Sequence, residues 1–293
     1  MDFHCVDLPQ FGVVLVPPTD PEYDKLLTDI RKRVEHPVTG SPPALPKATE
    51  ISEANRDGSA IVVNRGPRSI AKLQLLWAYE QADGRRGRSA IGGGGGSTSL
   101  LEPFGLDQSS LNLYGYWHVI LPGSKRYLDI QGDQIGDNTD VRPPTGDELW
   151  SGGGMGGGFG SRFVSGAMKH VTLTIDGVFF TDGAFAGPNN YQMWEQVVAS
   201  AEAHLEIGRI AKQGHFEGRP VADILSEIQK LTGPGDEPPP HPRAPRDMEE
   251  YRQWALKLVA WPISSARKLN GDERTVYMLS DWADAPVPKF RKL

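Results

Sequence analysis

The stretch that constrains this chain most is residues 171–194, where an extended pattern gives way within a few positions to a helical one. Val171, Leu173 and Ile175 alternate with Thr172, Thr174 and Asp176, the period-two pattern of a half-buried strand. Asp182-Gly183 then supplies the positive backbone angle of a tight turn, and Gly187-Pro188-Asn189-Asn190 breaks the extended run before a helical period starts near Tyr191. The chain before this junction reads mostly as strand and loop, and the chain after it as helix.

With 293 residues the chain can bury a core of normal size. Its 34 glycines and 24 prolines make about a fifth of it, well above the average of about 12%, so long loops are expected. A net charge of −6 argues against a general affinity for phosphate backbones, and nucleic acid is not an expected partner. The local exception, Arg85-Arg86-Gly87-Arg88 after Asp83-Gly84, reads as a solvated hairpin loop. Cys5 is the one cysteine, which excludes an intrachain disulfide, and its setting reads as that of an inert, small apolar residue rather than a catalytic thiol. No apolar run approaches the ~18–20 residues that span a bilayer, and no basic-then-apolar leader opens the chain. A cytoplasmic protein is expected, or an exported one if a leader has been removed.

In order, Phe11–Val16 is a short apolar run suited to a strand, and Asp20 caps a helix that opens at Pro21-Glu22 with Leu26, Leu27, Ile30 and Val34 on one stripe. Residues 37–50, with four prolines, form a linker. Strands are expected at 59–63, 71–80, 113–121 and 125–130, with turns at Asn64–Ser69 and Pro122-Gly123. The glycine tracts at 92–96 and 151–160 read as loops, because neither leads through a lysine or from a strand into a helix as phosphate-binding loops do. After Trp194 come helices over about 195–208 and 220–231, a proline-rich spacer at 233–246, a helix from Asp247 to Pro262 with a capping box at Asp247/Glu250, and a last helix after Asn270-Gly271.

The most specific-looking stretch is residues 129–140, where short-spaced aspartates separated by glycine could wrap a hard cation in oxygen ligands. Asp129, Gly132, Asp133, Ile135, Gly136, Asp137, Asn138 and Asp140 resemble one copy of the calcium-binding thrombospondin type 3 repeat, with Gln131 and Gln134 departing from it. That resemblance implies calcium held by Asp129, Asp133, Asp137, Asn138 and Asp140. In the middle of the chain, Asn64, Ile70–Gln74, Asp83-Gly84, Ile120–Gly123 and Ile175–Pro188 resemble uncharacterised bacterial proteins with an immunoglobulin-like sandwich followed by helices, which implies a fold and no activity.

No Gly-x-Ser-x-Gly, His-Glu-x-x-His or paired cysteines occur, and His204 and His215 lie too far apart in sequence for one helix face. The expected fold is α+β: an antiparallel, immunoglobulin-like β-sandwich over about 55–190, preceded over 1–54 by a strand, a helix and the linker, and followed over 191–293 by helices. The expected function is non-catalytic binding or scaffolding of a protein partner, through strand edges or proline-rich segments. The alternative is a hydrolase, calcium-dependent if the 129–140 stretch holds the ion, with a loop-built pocket lined by at least two of His118, His170, Asp137, Asp140, Asp147 and Glu148.

Overall fold

The computed structural model describes residues 1–35, 56–93, 119–130, 134–136, 167–233, 247–284 and 289–293. Their contacts divide into two units, one holding the described residues up to Pro188 together with Arg291–Leu293, the other running from Asn189 to Phe290.

In the first unit the alternating stretch forms the longest strand, Met168–Phe180 (β8), thirteen residues long. One edge of β8 pairs along its length with Ile70–Gln81 (β4). The other edge is shared: Asp2–Val6 (β1) runs parallel to its first half, and Ala184–Ala186 (β9) turns back on its second. The turn between β8 and β9 is the expected Asp182-Gly183, with Gly183 at φ 80° and Asp182 Oδ1 accepting from the Ala184 N–H. Arg86–Gly93 (β5) pairs with β4, and Arg291–Lys292 (β10) runs parallel to β9. A second, antiparallel sheet is built from Val13–Val16 (β2), Ser59–Asn64 (β3), Lys125–Asp129 (β6) and Gln134–Gly136 (β7), in that order.

The two sheets bury one cluster between them. Leu73, Leu75 and Trp77 of β4 and Val171, Leu173 and Ile175 of β8 meet Val13, Leu15, Ala60, Val62 and Leu128 of the smaller sheet. The other face of the smaller sheet is covered by the first helix, Tyr23–Glu35 (α1), whose Tyr23, Leu27 and Ile30 pack on Val16, Ile61, Val63 and Tyr127. That explains why β3 is buried along its whole length: both of its faces are covered, so the alternation of a half-exposed strand is absent from Ser59–Asn64.

Two features differ from the purely antiparallel sandwich that the sequence predicts: β1 and β10 join the larger sheet in parallel. Residues 1–35 also form no separate leading segment, because β1, β2 and α1 belong to this unit's own sheets and core. At the start of β2 the chain passes so close to the turn that follows β3 that a Cβ on Gly12, at φ +78°, would stand 2.3 Å from Gly66 Cα. Glycine is the residue that such a crossing tolerates.

The second unit is helical: Met193–Phe216 (α2), Val221–Thr232 (α3), Met248–Asn270 (α4) and Asp272–Asp281 (α5), followed by a single 3-10 turn at Trp282–Asp284. The long α2 is held by its neighbours through small buried residues, among them Ala199, Ala201, Ala203 and Ala211. At Gly208 a Cβ would lie 2.5 Å from the Ala283 backbone nitrogen. Asn189, rather than the residue before α2, supplies the cap, its Oδ1 accepting from the Trp194 N–H at 2.9 Å. Asp247 caps α4 as expected, accepting from the Glu250 N–H at 2.9 Å. Helix α4 does not stop at Pro262. Buried Tyr251, Trp254, Ala255, Leu258 and Val259 are followed beyond the proline by buried Ile263, so packing outweighs the one backbone hydrogen bond that a proline removes.

Candidate functional site

The expected calcium ligands are placed only in part. Asp129 is the last residue of β6, fully buried and in register with Ser59 of β3. Asp133, Asp137, Asn138 and Asp140 lie outside the described residues. Within the stretch, Gln134–Gly136 is a strand paired with Arg126–Leu128, so that part of the sequence is committed to a hairpin. Among the described residues no three His, Cys, Asp or Glu side chains stand together as a metal site requires. Of the proposed hydrolytic set, His118, Asp137, Asp140, Asp147 and Glu148 are likewise outside the described residues. His170 lies on the surface of β8, its Nδ1 3.3 Å from Asp2 Oδ2.

Three groups set into the fold have the residue types that catalysis uses. Cys5 is half-buried against the core, and its thiol is pushed up to about 12 by burial and by the charges of Asp7 and Asp20, so it stays protonated and unreactive at neutral pH. His204 packs on the Trp282 ring at 4.6 Å and donates from Nδ1 to the Ser200 carbonyl, a structural role on α2. Lys72 of β4 is 7% exposed and forms no hydrogen bond or ion pair among the described residues; burial alone brings its ammonium down to about 7. Two positions on, Gln74 Oε1 is buried without a hydrogen-bond partner among the described residues. Lys72 and Gln74 sit opposite Phe179 and Gly177 of β8, which offer neither an acid nor a base.

Among the described residues, the larger sheet ends on one side in a strand with no further partner. β5 ends the hydrogen-bonded order of the larger sheet, and no described strand pairs with its outer side. The turn leading into it is short: Gly84 at φ +85° closes Gln81–Arg85, and Asp83 accepts from both the Arg85 N–H and its Nε. The strand therefore resumes at Arg86, and Arg86 and Arg88 lie on β5 instead of in the hairpin loop expected for them. Gly92 and Gly93, the start of the first glycine tract, are also strand, opposite Gln74 and Leu73.

Facing directions follow from the register. Trp77 and Tyr79 point to the core, so Ala78 and Glu80 point away from it, and with them their partners Arg88 and Arg86. Gly87, between the two arginines, is in register with Tyr79, whose ring lies so close that a Cβ on Gly87 would stand 2.3 Å from it. The row through Arg86 crosses four strands: Arg86 on β5, Glu80 on β4, His170 on β8 and Asp2 on β1. Glu80 is shared, accepting from Arg86 Nε at 2.7 Å and from Lys169 Nζ at 3.4 Å. The Arg86 bond, then the Lys169 bond, hold its carboxyl below the usual carboxylate range. The row through Arg88 is different: Ala78, Thr172 and His4 follow it, with no carboxylate. Arg88 is exposed and has no ion pair among the described residues.

No protein-family model, curated protein or solved structure matches this chain. A functional reading therefore rests on the chain's own residues. Among the described residues no helix is long and apolar enough to cross a membrane. The arginines of β5 were legible as residues but not as a surface. The signal for them is the symmetry of the hairpin, in which a turn centred on Asp83-Gly84 sets Glu80 against Arg86 and starts a new strand there.

Proposed function

We propose that this chain is a non-catalytic binding or scaffolding module that receives an extended segment of a protein partner at the outer edge of β5. The observation that carries the reading is the eight-residue strand Arg86–Gly93, paired on one side with β4 and, among the described residues, with no strand on its other side. Such an edge is a ready template for an added strand, and backbone hydrogen bonds supply the affinity of that mode of recognition. The larger sheet already accepts one such addition. At its far end β10 lies on β9, with the Arg291 N–H donating to the Gly183 carbonyl, the Leu293 N–H to the Phe185 carbonyl, and Arg291 Nη2 reaching Asp182 Oδ2 at 2.7 Å. The shared core of two largely antiparallel sheets supports an immunoglobulin-like sandwich as the framework, with β1 and β10 as parallel additions.

A photo-crosslinking residue at position 85, in the exposed turn leading into β5, compared in the native host with the same residue at exposed Lys32 of α1, tests the assignment. The expected result is a discrete protein adduct at position 85 and none at position 32. Adducts at both positions, or at neither, would remove β5 as the binding edge.

A further inference from the structure

The outer edge of β5, unpaired among the described residues, also carries a pattern of charge that selects among the segments it could receive. This inference rests on the strand-addition reading above. In a chain of net charge −6, the hairpin end of the larger sheet gathers Arg85, Arg86, Arg88 and Lys169, and the carboxylates paired with them among the described residues are Asp83 and Glu80. Three of these cations are already matched: Arg85 by Asp83 at 2.6 Å, and Arg86 and Lys169 by Glu80 at 2.7 and 3.4 Å. Arg88 is the exception, since its row contains no carboxylate and its side chain lies exposed on the face away from the core.

We infer that the segment received at β5 is acidic, with a glutamate or aspartate opposite Arg88 and a second acidic residue two positions away beside Arg86. Directly opposed residues of neighbouring strands stand close enough to interact, and opposite charges there stabilise the pairing while like charges weaken it. Spacing of two follows from the strand period, because Arg86 and Arg88 share a face and Gly87 between them does not. A second copy of this chain fits the edge less well. Antiparallel pairing of β5 with β5 over its full length would set Arg86 opposite Gly93 and Arg88 opposite Ile91, with no carboxylate on either strand to meet the arginines. The opposite end of the sheet shows the same complementarity with the signs exchanged: there the edge supplies Asp182 and the added strand supplies Arg291. Burial tends to raise the Asp182 carboxyl, but the Ala184 N–H and Arg291, with the charge of Arg68, outweigh it and hold it below the usual range.

Three acetyl-capped, amidated octapeptides test the inference: valine alternating with glutamate, with glutamine or with lysine. Each is titrated into the full chain while hydrogen exchange is followed along Arg86–Gly93. The expected result is that the glutamate peptide protects the β5 amides at a concentration about threefold to tenfold lower than the glutamine peptide, and that the lysine peptide does not protect them. Arg88→Glu should reverse the order of the glutamate and lysine peptides without altering the glutamine peptide. Equal protection by the glutamate and glutamine peptides would overturn the acidic preference and leave strand addition standing. Protection by none of the three would overturn both readings. Protection that grows with protein concentration alone would show that a second copy occupies the edge, and would also overturn the acidic assignment.

Discussion

Replacing Lys72 with methionine should stabilise the chain at pH 7 by on the order of 4 kcal/mol, an unusually large gain for a single substitution. Lys72 is 7% exposed, and burial lowers its ammonium from 10.5 to about 7. Between those two values the unfolded chain holds a proton that the folded chain does not, so the stability of the native protein should rise as pH increases through that window. Below about pH 7 the folded protein must carry the buried charge, and the full penalty is present. Methionine has nearly the same length and no charge, so the advantage of the variant should shrink steadily from pH 7 towards pH 10. Cys5 acts in the opposite sense: its thiol, raised to about 12, withdraws stability above its ordinary value of 9.0, in wild type and variant alike. Urea unfolding at pH 7, 8 and 9 isolates the Lys72 effect as the difference between the two proteins. A difference that does not change with pH would mean that Lys72 titrates as an ordinary surface lysine.

Asn64→Ala should cost about 3 kcal/mol, because one fully buried side chain joins two turns. Its Nδ2 donates to the Arg68 carbonyl at 2.7 Å and to the Ile120 carbonyl at 2.9 Å, and its Oδ1 accepts from the Gly66 N–H at 3.1 Å. Its backbone is equally committed: the Asn64 N–H donates to the Ser124 carbonyl and its own carbonyl accepts from the Gly123 N–H. Alanine would leave the Gly66 N–H without a partner. Asn64→Asp keeps that acceptor but turns a carboxylate towards two carbonyl oxygens, so it should be the more damaging substitution at neutral pH. The sign of its pH dependence is set by the same contact. Protonation restores a donor, the folded state raises the carboxyl above its ordinary value, and stability should return as pH falls through that raised value. An alanine variant within about 0.5 kcal/mol of wild type would show that the turns hold without the side chain.

The same residue shows how far the sequence carries. Asn64, Gly123 and Asp182-Gly183 were visible as turn residues, β4 and β8 stand where alternation places them, and β3 and β6 stand beside the turns that bracket them. Local pattern was enough because β4 and β8 keep their apolar residues in register with the core between the sheets, while β3 and β6 are short runs marked off by turn residues. The capping box of α4 was legible for the same reason: the hydrogen bond from the Glu250 N–H to Asp247 joins residues three apart. Features that depend on distant partners were not legible. β1 and β10 are too short and polar to announce themselves, and they become strands only because β8 and β9 offer them an edge. Helix α4 runs through Pro262 because buried residues lie on both sides of it. Lys72 reads as an outward residue on an alternating strand, and nothing in its neighbours along the chain reveals that its face of the sheet is covered. Of the candidate calcium ligands, Asp129 is placed at a strand end, while the others lie outside the described residues.

The measurement that bears most directly on the binding assignment is amide hydrogen exchange along Arg86–Gly93 in the free protein. In an antiparallel pair, successive residues of an edge strand turn their N–H groups alternately to the neighbour and away from it. If the outer side of β5 is open, fast and slow exchange should alternate along the strand, the slow amides being those bonded to β4. Uniform protection from Arg86 to Gly93 would mean that the edge is already filled, and would contradict the proposal that a partner strand is received there.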